Sequence, residues 1–272
     1  MTIEVDPLIP SAETTRAVWE RIAHWWDEAI GEGNDFQHQL IMPATDRLLC
    51  IKRGEMVLDA ACGNGNYARR LGRAGAKVLA FDGAPTFVDR ARTRTTADDG
   101  DIEYLVLDAT DESAMTALGD GRFNAAVCSM AMMDLPILSP LLRSVRRLLK
   151  PGGRFVFSVP HPCFNSAPSR LTAEMSQDQG KLSQVFGVQV TGYLSATSEL
   201  SSGIINQPEP HPLFHRPISL LFSECFAAGF VVDGLEEPAF PPGYNAKNAF
   251  SWAKRPQIPP AMVVRLRENS PR

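Results

Sequence analysis

The chain has 272 residues, of which 44% are hydrophobic and 21% are charged, and its formal net charge is −4. These fractions are ordinary for a globular protein and exclude a collagen-like, disulfide-scaffold or wholly disordered chain. The acidic balance also argues against a nucleic-acid-binding surface, because such surfaces need clustered lysine and arginine.

The cysteine pattern and the N-terminus concern the compartment. Five cysteines are scattered along the chain without any C-x-x-C pair, which predicts reduced thiols in a cytoplasmic protein rather than disulfides or a zinc site. Residues 1–16 are acidic and lack an apolar centre. No run of ~18 apolar residues occurs, so we expect neither a signal peptide nor a membrane span.

In chain order, the first predicted element is an amphipathic helix over residues 12–30, N-capped by Ser11. A second helical stretch is expected at about 35–50. From Glu55 onward, short apolar runs alternate with helical stretches, as in a parallel α/β sheet. The predicted strands are 56–61, 78–81, 102–107, 123–129 and 154–159. The predicted helices between them are 66–74, 85–97, 111–118 and 138–149.

Residues 161–213 break this rhythm, because they are rich in Ser, Pro, Gly and Gln and show little periodicity. We interpret them as a long insertion that forms a lid or a substrate wall, with disorder as the alternative. Scattered aromatic and branched residues favour the first interpretation. Beyond the insertion, the expected elements are a helix at 218–228, strands at 230–235 and 262–266, and a short helix near 246–253.

The strongest chemical motif is the segment 57–65, in which a buried strand runs into a glycine-containing turn and then a helix. Glycine allows a positive φ and a close approach of a ligand to the backbone, and the helix start presents free N–H groups. The second predicted strand ends at Asp82. This carboxylate follows Asp59 at about the spacing at which an acid binds ribose hydroxyls in a dinucleotide site.

Over about residues 54–160 the ordered motifs resemble those of class I S-adenosylmethionine-dependent methyltransferases of the small-molecule type. In chain order the similar segments are residues 59–65 (Asp-Ala-Ala-Cys-Gly-Asn-Gly), 82–91, 107–109, 123–129 and 148–154. In that family the acid of the second motif, here Asp82, binds the ribose, and the acid of the third, here Asp108, meets the adenine. Ala61 stands where glycine is commoner, and Asn124 replaces the usual acid.

The resemblance implies a Rossmann-like fold, with a doubly wound, mostly parallel seven-stranded sheet and helices on both faces. We expect one domain with four parts. These are an N-terminal helical cap (1–53), the donor-binding core (54–160), the substrate-side insertion (161–217), and a C-terminal helix with closing strands (218–272).

The resemblance also implies the cofactor S-adenosyl-L-methionine, with S-adenosyl-L-homocysteine as product, and in-line methyl transfer to O, N or C of a small metabolite. The implied donor-binding residues are Asp59, Ala61, Gly63, Gly65, Asp82, Gly83, Asp108, Ala109 and Ser129. N-terminal helices cover the donor in similar enzymes, so Trp19 or Trp26 is a candidate to close the site. We expect a monomer or homodimer that acts without nucleic acid or membrane.

Three side chains near strand ends are candidates for a general base. His161 is preferred because it directly follows the fifth strand between two prolines; a hydrogen bond within its loop is the alternative role. His215 precedes the late helix beside Arg216, which is a candidate anchor for an acidic substrate group. Asp134 lies just beyond the fourth strand, with a helix N-cap as its alternative role. No metal site is expected, because no ligand spacing occurs.

Other functional classes stay open at this point. A nicotinamide-dependent dehydrogenase shares the glycine-rich turn, although Asp59, Asp108 and the segment 150–153 favour methyl transfer. A methyltransferase acting on RNA or protein would need a basic or peptide-binding face. A donor-binding protein that has lost transferase activity would keep the same motifs.

Overall fold

The computed structural model describes residues 10–166, 169–245 and 248–269. Its α-helices are α1 (Ala12–Ile30), α2 (Met42–Leu49), α3 (Asn66–Arg73), α4 (Pro85–Arg94), α5 (Glu112–Thr116), α6 (Ser139–Leu148) and α7 (Ile218–Ala227). Its strands are β1 (Met56–Ala60), β2 (Lys77–Asp82), β3 (Asp101–Val106), β4 (Phe123–Ser129), β5 (Leu149–Pro160), β6 (Ser169–Asp178), β7 (Lys181–Val190), β8 (Thr197–Ser201), β9 (His211–His215), β10 (Phe230–Glu236) and β11 (Ala261–Glu268).

Short helical turns complete the described elements. A π-helical turn, Gln37–Ile41, leads into α2, and 3₁₀ turns lie at Ala97–Asp99, Met132–Asp134 and Trp252–Lys254. Of the short helix expected near 246–253, residues 246–247 lie outside the described residues and residues 248–251 are not helical, so only the turn Trp252–Lys254 overlaps it. Residues 1–9, which include most of the segment from which we expect no signal peptide, also lie outside the described residues.

Seven strands form one sheet in the order β10-β11-β5-β4-β1-β2-β3. Strand β11 runs antiparallel to both of its neighbours, whereas the pairs from β5 to β3 are parallel. The strand order reverses beside β1, and open α/β sheets bind ligands at the carboxyl ends of the strands flanking such a point. The predicted Rossmann-like, doubly wound, mostly parallel seven-stranded sheet is therefore confirmed.

Helices cover both faces of this sheet because side chains alternate along each strand. On one face, Leu58 and Phe81 pack in a core with residues of α5, α6 and α7. On the other face, Val57 and Val78 pack with residues of α2, α3 and α4. Burial of both faces explains why the strands appear in the sequence as nearly continuous apolar runs rather than alternating ones.

The insertion has more regular structure than its low periodicity in the sequence suggested. It contains two antiparallel hairpins, β6–β7 and β8–β9, neither of which was predicted. Much of β6–β7 is exposed, so burial imposes no clear apolar pattern on it. The buried Arg255 guanidinium donates to the carbonyl oxygens of Gly187 and Thr172 and so anchors one end of this hairpin. The disorder alternative is wrong for the described part of 161–217.

A membrane-spanning element was not expected from the sequence. Within the three described ranges, no helix has the combined length and apolar character that crossing a bilayer requires.

Candidate functional site

A cavity of about 620 Å³ lies at the carboxyl ends of β1, β2 and β4. Helix α1 and residues 199–213 also contribute to its wall. Its position is the one where the sheet topology predicts a ligand. Every predicted donor-binding residue except Gly65 lines it, and the lining ones are Asp59, Ala61, Gly63, Asp82, Gly83, Asp108, Ala109 and Ser129.

Asp82 holds the glycine-containing turn in place. Its Oδ2 accepts a 2.8 Å hydrogen bond from the Gly63 N–H, and its Oδ1 accepts a 2.9 Å bond from the Ala84 N–H. Burial raises the pKa of Asp82 to about 6, although these backbone donors favour its charged form. Gly63 has φ 54°, and a Cβ there would meet no atom within 4 Å. A ligand can therefore approach this backbone closely.

The neighbouring small residues have different roles. Ala61 adopts φ 55°, a left-handed conformation that costs an L-residue about 1–2 kcal/mol, and this explains physically why glycine is commoner there. A Cβ on Gly65 would lie 2.5 Å from the Tyr104 hydroxyl oxygen. Gly65 is thus required for packing of the α3 start against Tyr104. At Gly83, which lines the cavity, a Cβ would lie 3.3 Å from a methylene of Arg16.

Asp59 presents an unpaired carboxylate oxygen to the cavity. The residue is only 1% exposed, and its Oδ2 has no hydrogen-bond partner in the structure. Burial and the nearby Asp82 carboxylate raise the pKa of Asp59 to about 8. A buried acceptor without a partner is costly. Such an oxygen suits a ligand that brings an N–H donor or a positive charge.

Asp108 and Ser129 lie at the ends of β3 and β4. Asp108 Oδ1 accepts hydrogen bonds from the Thr110 N–H (2.8 Å) and hydroxyl (2.7 Å). Its Oδ2 lies 3.1 Å from an Arg16 guanidinium nitrogen, which connects α1 to this strand end. The Ser129 hydroxyl lies 3.4 Å from that of Ser158 on β5. Together with Asp59 and Asp82, these residues define what we call the donor end of the cavity.

Asp134 and His211 also line the cavity, and we call the part that they form the acceptor end. Asp134 Oδ1 lies 3.7 Å from His211 Nε2 and has no hydrogen-bond partner. Burial, together with the Asp82 charge, raises the pKa of Asp134 well above its usual value. Burial lowers the pKa of His211 to about 4, so the imidazole is neutral near pH 7.

The contacts of His211 fix its tautomer and its orientation. Gln207 Nε2 lies 3.0 Å from His211 Nδ1, and the same amide group donates to the Glu209 carbonyl oxygen. The amide therefore donates to Nδ1, and Nε2 carries the proton that faces Asp134. The Trp19 ring lies against the imidazole, with 4.4 Å between the ring centroids. His211 was not among the sequence candidates.

The other two candidate bases do not reach the cavity. His161 Nδ1 accepts a 3.1 Å hydrogen bond from the Cys163 N–H, and its Nε2 donates to Glu237 Oε1 at 2.7 Å. His215 Nε2 donates to the Tyr193 carbonyl oxygen at 2.8 Å. Both rings are buried and take part in loop contacts, which for His161 is the alternative role. Of the three candidates, the structure brings only Asp134 to the cavity.

Arg216, the candidate anchor for an acidic substrate, has a structural contact instead. Its guanidinium donates to the carbonyl oxygens of Leu135 and Pro136, at 2.6 and 2.9 Å. These bonds hold the segment that follows the Met132–Asp134 turn. Among the residues that the structure describes, no group of three or more His, Cys, Asp or Glu side chains is arranged to hold a metal ion.

Helix α1 covers the cavity, and a buried carboxylate fastens it. Trp19 and Trp26 of this helix both line the cavity. Asp27, which is fully buried, lies 2.5 Å from guanidinium nitrogens of both Arg90 and Arg94 on α4. It also accepts a 2.9 Å hydrogen bond from the side-chain amide of Asn64 in the glycine-containing turn. The cover and the turn are therefore connected directly.

Comparison with known proteins agrees with this geometry. Residues 58–157 match the model of a methyltransferase domain family. The chain is 34% identical over 105 residues to a ubiquinone biosynthesis O-methyltransferase of Xanthomonas oryzae, which covers 39% of this chain and 43% of that protein. It is 32% identical over 150 residues to a demethylmenaquinone methyltransferase of Clavibacter sepedonicus, covering 53% and 58%. The chain thus spans about half the length of the curated relatives it matches.

A solved structure extends the similarity of the fold. The S-adenosylmethionine-dependent methyltransferase from Mesorhizobium loti superposes with a TM-score of 0.64, at 24% identity, over 83% of this chain and 96% of that one. The sheet order and the cavity at the switch point agree with this fold. Residues 58–157 accordingly match a methyltransferase domain family, and the chain has the fold of S-adenosylmethionine-dependent methyltransferases, as its motifs predicted.

Proposed function

We propose that the protein is an S-adenosylmethionine-dependent methyltransferase that acts on a small, partly apolar metabolite. The observation that carries this proposal is that the carboxylates of the donor end and the Asp134–His211 pair line one cavity. A donor bound beside Asp59 and Asp82 would share that cavity with an acceptor bound beside Asp134. Proximity and orientation supply most of the rate enhancement when the methyl group is already activated.

The donor-end residues match the chemical groups of the donor. Asp82 offers carboxylate oxygens to ribose hydroxyls, and Asp108 with the Ala109 N–H offers an acceptor and a donor to adenine. The unpaired Asp59 oxygen suits the ammonium group of the methionine part, because a buried carboxylate without a partner gains most from a cation. When bound, the donor supplies a methyl group on a positively charged sulfur.

The acceptor end supports a small molecule as substrate. Trp19, Trp26, Leu135 and Leu213 contribute to its wall, and they would enclose an apolar ring or chain and exclude water. Two relatives are named for ubiquinone and demethylmenaquinone methylation, and these names also favour a small acceptor. The choice between O, N and C acceptors depends on residues of this chain, since the relatives match it only in part.

Binding of S-adenosylhomocysteine, measured by isothermal titration calorimetry, tests the donor assignment. We expect the wild type to bind and Asp82→Asn to bind at least ~10-fold more weakly, because a hydrogen bond to a charged group contributes ~1.5–3 kcal/mol. Asp120→Asn is the matched control, since this carboxylate pairs with Arg147 on the surface. A wild type without binding would contradict the proposal, and unchanged affinity of Asp82→Asn would contradict the ribose assignment.

The open alternatives give different results in the same system. A donor-binding protein without transferase activity would bind S-adenosylhomocysteine but transfer no label from methyl-labelled S-adenosylmethionine to any metabolite in an extract. A methyltransferase acting on RNA or protein would place the label in macromolecules, with salt-sensitive binding in the case of RNA. Label in small molecules is the outcome that the proposal expects.

A further inference from the structure

We propose that the methylated group is a neutral hydroxyl, of the phenol or enol type, which His211 holds and Asp134 deprotonates. This inference rests on the proposed function and specifies the acceptor of the same cavity. Its basis is a buried carboxylate oxygen without a partner that lies beside an imidazole N–H. Asp134 Oδ1 has no hydrogen-bond partner, and the Nε2 proton of His211 points towards it across 3.7 Å.

The separation of these two atoms fits an oxygen atom between them. An N–H···O or O–H···O hydrogen bond brings its heavy atoms to about 2.7–3.0 Å. An oxygen at such a distance from both His211 Nε2 and Asp134 Oδ1 can bridge a 3.7 Å gap. A hydroxyl can then accept from the imidazole and donate to the carboxylate at once, which would satisfy both buried groups.

The charges around this position favour a neutral acceptor. The titratable groups near Asp134 are His211 on β9, the Asp82 carboxylate at the end of β2 and the buried thiol of Cys128 on β4. The imidazole is neutral, so no positive charge from this pair would hold an acidic substrate group. Arg216 is the sequence candidate for binding an acidic group, but its guanidinium donates to backbone carbonyl oxygens instead.

The same charges disfavour an amine. Once ionised, Asp134 would hold an aliphatic amine in its protonated form, in which the nitrogen has no free electron pair, and it adds little to an aromatic amine, which attacks with an electron pair that is already free. A hydroxyl gains from the same carboxylate, because loss of its proton produces a stronger nucleophile. The apolar wall formed by Trp19, Trp26 and Leu213 suits a hydroxyl carried by an aromatic or otherwise apolar frame.

In the proposed step, loss of the acceptor proton accompanies methyl transfer. The acceptor O–H proton passes to Asp134 Oδ1 while the acceptor oxygen forms a bond to the methyl carbon. The carbon–sulfur bond of the donor breaks, and its electron pair stays on the sulfur, which becomes a neutral thioether. His211 keeps its own proton and stabilises the negative charge that develops on the acceptor oxygen. His211 is thus the positioning group, and Asp134 is the base.

The experiment uses probe pairs of equal size that differ only in the acceptor atom. Phenol, 1-naphthol and 9-phenanthrol are compared with aniline, 1-naphthylamine and 9-aminophenanthrene, with methyl-labelled S-adenosylmethionine at saturation. For the wild type we expect the best hydroxyl probe to be methylated at least ~10-fold faster than its matched amine, in kcat/KM. Mass spectrometry of the product identifies the methylated atom.

The variants test each group separately. Asp134→Asn should lower kcat for the best hydroxyl probe ~100-fold or more, the range for loss of a general base, with a small change in KM. The wild-type rate should rise with pH as Asp134 ionises, and Asp134→Asn should lose this rise. His211→Ala should lower kcat, and His211→Gln should restore part of it, because glutamine keeps an N–H donor.

Controls separate this inference from the proposed function. Every variant is titrated with S-adenosylhomocysteine, and Asp134→Glu serves if Asp134→Asn does not fold. The exposed residues Asp120 and His24, as Asp120→Asn and His24→Gln, should retain wild-type turnover. A preference for amines, full activity of Asp134→Asn, or donor binding with no methylation of any hydroxyl probe would each overturn the inference. Absence of donor binding in the wild type would instead overturn the proposed function.

Discussion

The two ends of the cavity are built in different ways. At the donor end, Asp59, Asp82 and Asp108 lie at or near the carboxyl ends of three neighbouring parallel strands. Backbone N–H groups of the adjoining turns hold Asp82 and Asp108. At the acceptor end, Asp134 and His211 come from segments that are far apart in the sequence, and side-chain contacts with Gln207 and α1 position the imidazole.

This difference affects how each end responds to substitution. The donor end depends on the sheet and should survive changes in the cover, whereas the acceptor end depends on how α1 and the β8–β9 hairpin pack. Helix α1 takes part in both, through Arg16 at the donor end and through Trp19 at the acceptor end. Substitutions at the contacts that fasten α1 therefore test most strongly how the two ends depend on the cover.

Asp27→Ala should have the largest effect of the changes considered below. The substitution leaves the guanidinium groups of Arg90 and Arg94 and the amide of Asn64 without their shared buried partner. Breaking a buried ion pair from one side costs about 3–5 kcal/mol, and we expect about 3 kcal/mol because both arginines are partly exposed. Urea denaturation measures the free energy of unfolding.

The neighbouring Glu28→Ala is the matched control for Asp27→Ala. Glu28 lies on the exposed side of α1, where its carboxylate is 3.6 Å from His24, and a surface substitution of this kind changes stability by less than ~0.5 kcal/mol. If the two variants unfold at the same urea concentration, the Asp27 cluster does not fasten the cover.

The same contrast determined what could be predicted from the sequence. Most strands of the core were predicted nearly to their ends, because parallel strands buried on both faces produce apolar runs separated by glycine and proline signals. The exception is β5, which begins at Leu149 rather than at residue 154. The donor-end residues followed from the resemblance of these segments to a known family. Gly65 is the one predicted donor-binding residue that does not line the cavity. It packs against the Tyr104 hydroxyl instead, a contact that local sequence does not indicate.

The acceptor end was harder to predict because packing rather than a local pattern defines it. His161 and His211 each stand between two prolines, but only His161 also follows a predicted strand, and this second signal favoured it. What separates them is the partner of each ring: Glu237 for His161 and the cavity for His211. The division of the chain at residues 54, 161 and 218 stays a prediction.

The pH dependence of donor binding should have the next largest effect and should distinguish the two ends. Burial raises the pKa of Asp82 to about 6 and that of Asp59 to about 8, so acid neutralises both carboxylates in the ligand-free protein. From pH 7 to pH 5, affinity for S-adenosylhomocysteine should fall about tenfold through Asp82 alone, since each pH unit below the pKa costs ~1.4 kcal/mol. It should fall further through Asp59, which is already below its pKa at pH 7. Calorimetry at several pH values measures this.

The free energy of unfolding of the ligand-free protein should change with pH in the opposite direction to the affinity. A carboxyl group whose pKa is raised by folding binds its proton more tightly in the native state, so its contribution is full below ~pH 4 and decreases through pH 6 to 8. In the Asp82→Asn variant, the changes of affinity and of stability near pH 6 should both disappear. A wild-type affinity that does not change between pH 5 and pH 7 would contradict the role of Asp82.

Gly203→Ala should affect the acceptor end alone, by several-fold. A Cβ at Gly203 would lie 2.6 Å from the Trp26 ring, so the ring must shift where it lines the cavity. We expect KM for the acceptor to change while the affinity for S-adenosylhomocysteine stays the same. Trp26→Phe in the Gly203→Ala background makes room again and should restore part of the acceptor KM, as a double-mutant cycle would show. Equal changes at both ends would contradict the separation.

The smallest effects concern two left-handed positions of the donor end that are separated by one residue and form a matched pair. Ala61 and Gly63 have φ 55° and 54°, so the backbone demands the same conformation of an alanine and a glycine. Ala61→Gly removes a strain of about 1 kcal/mol, partly offset by the greater freedom of glycine in the unfolded chain. Its free energy of unfolding should rise slightly, without loss of donor affinity.

Gly63→Ala introduces the strain and places a methyl group where a Cβ meets no protein atom. It should therefore lower stability by about 1 kcal/mol and weaken donor binding as well. Equal donor affinity for Gly63→Ala and wild type would mean that the open space beside Gly63 belongs to solvent and not to the donor.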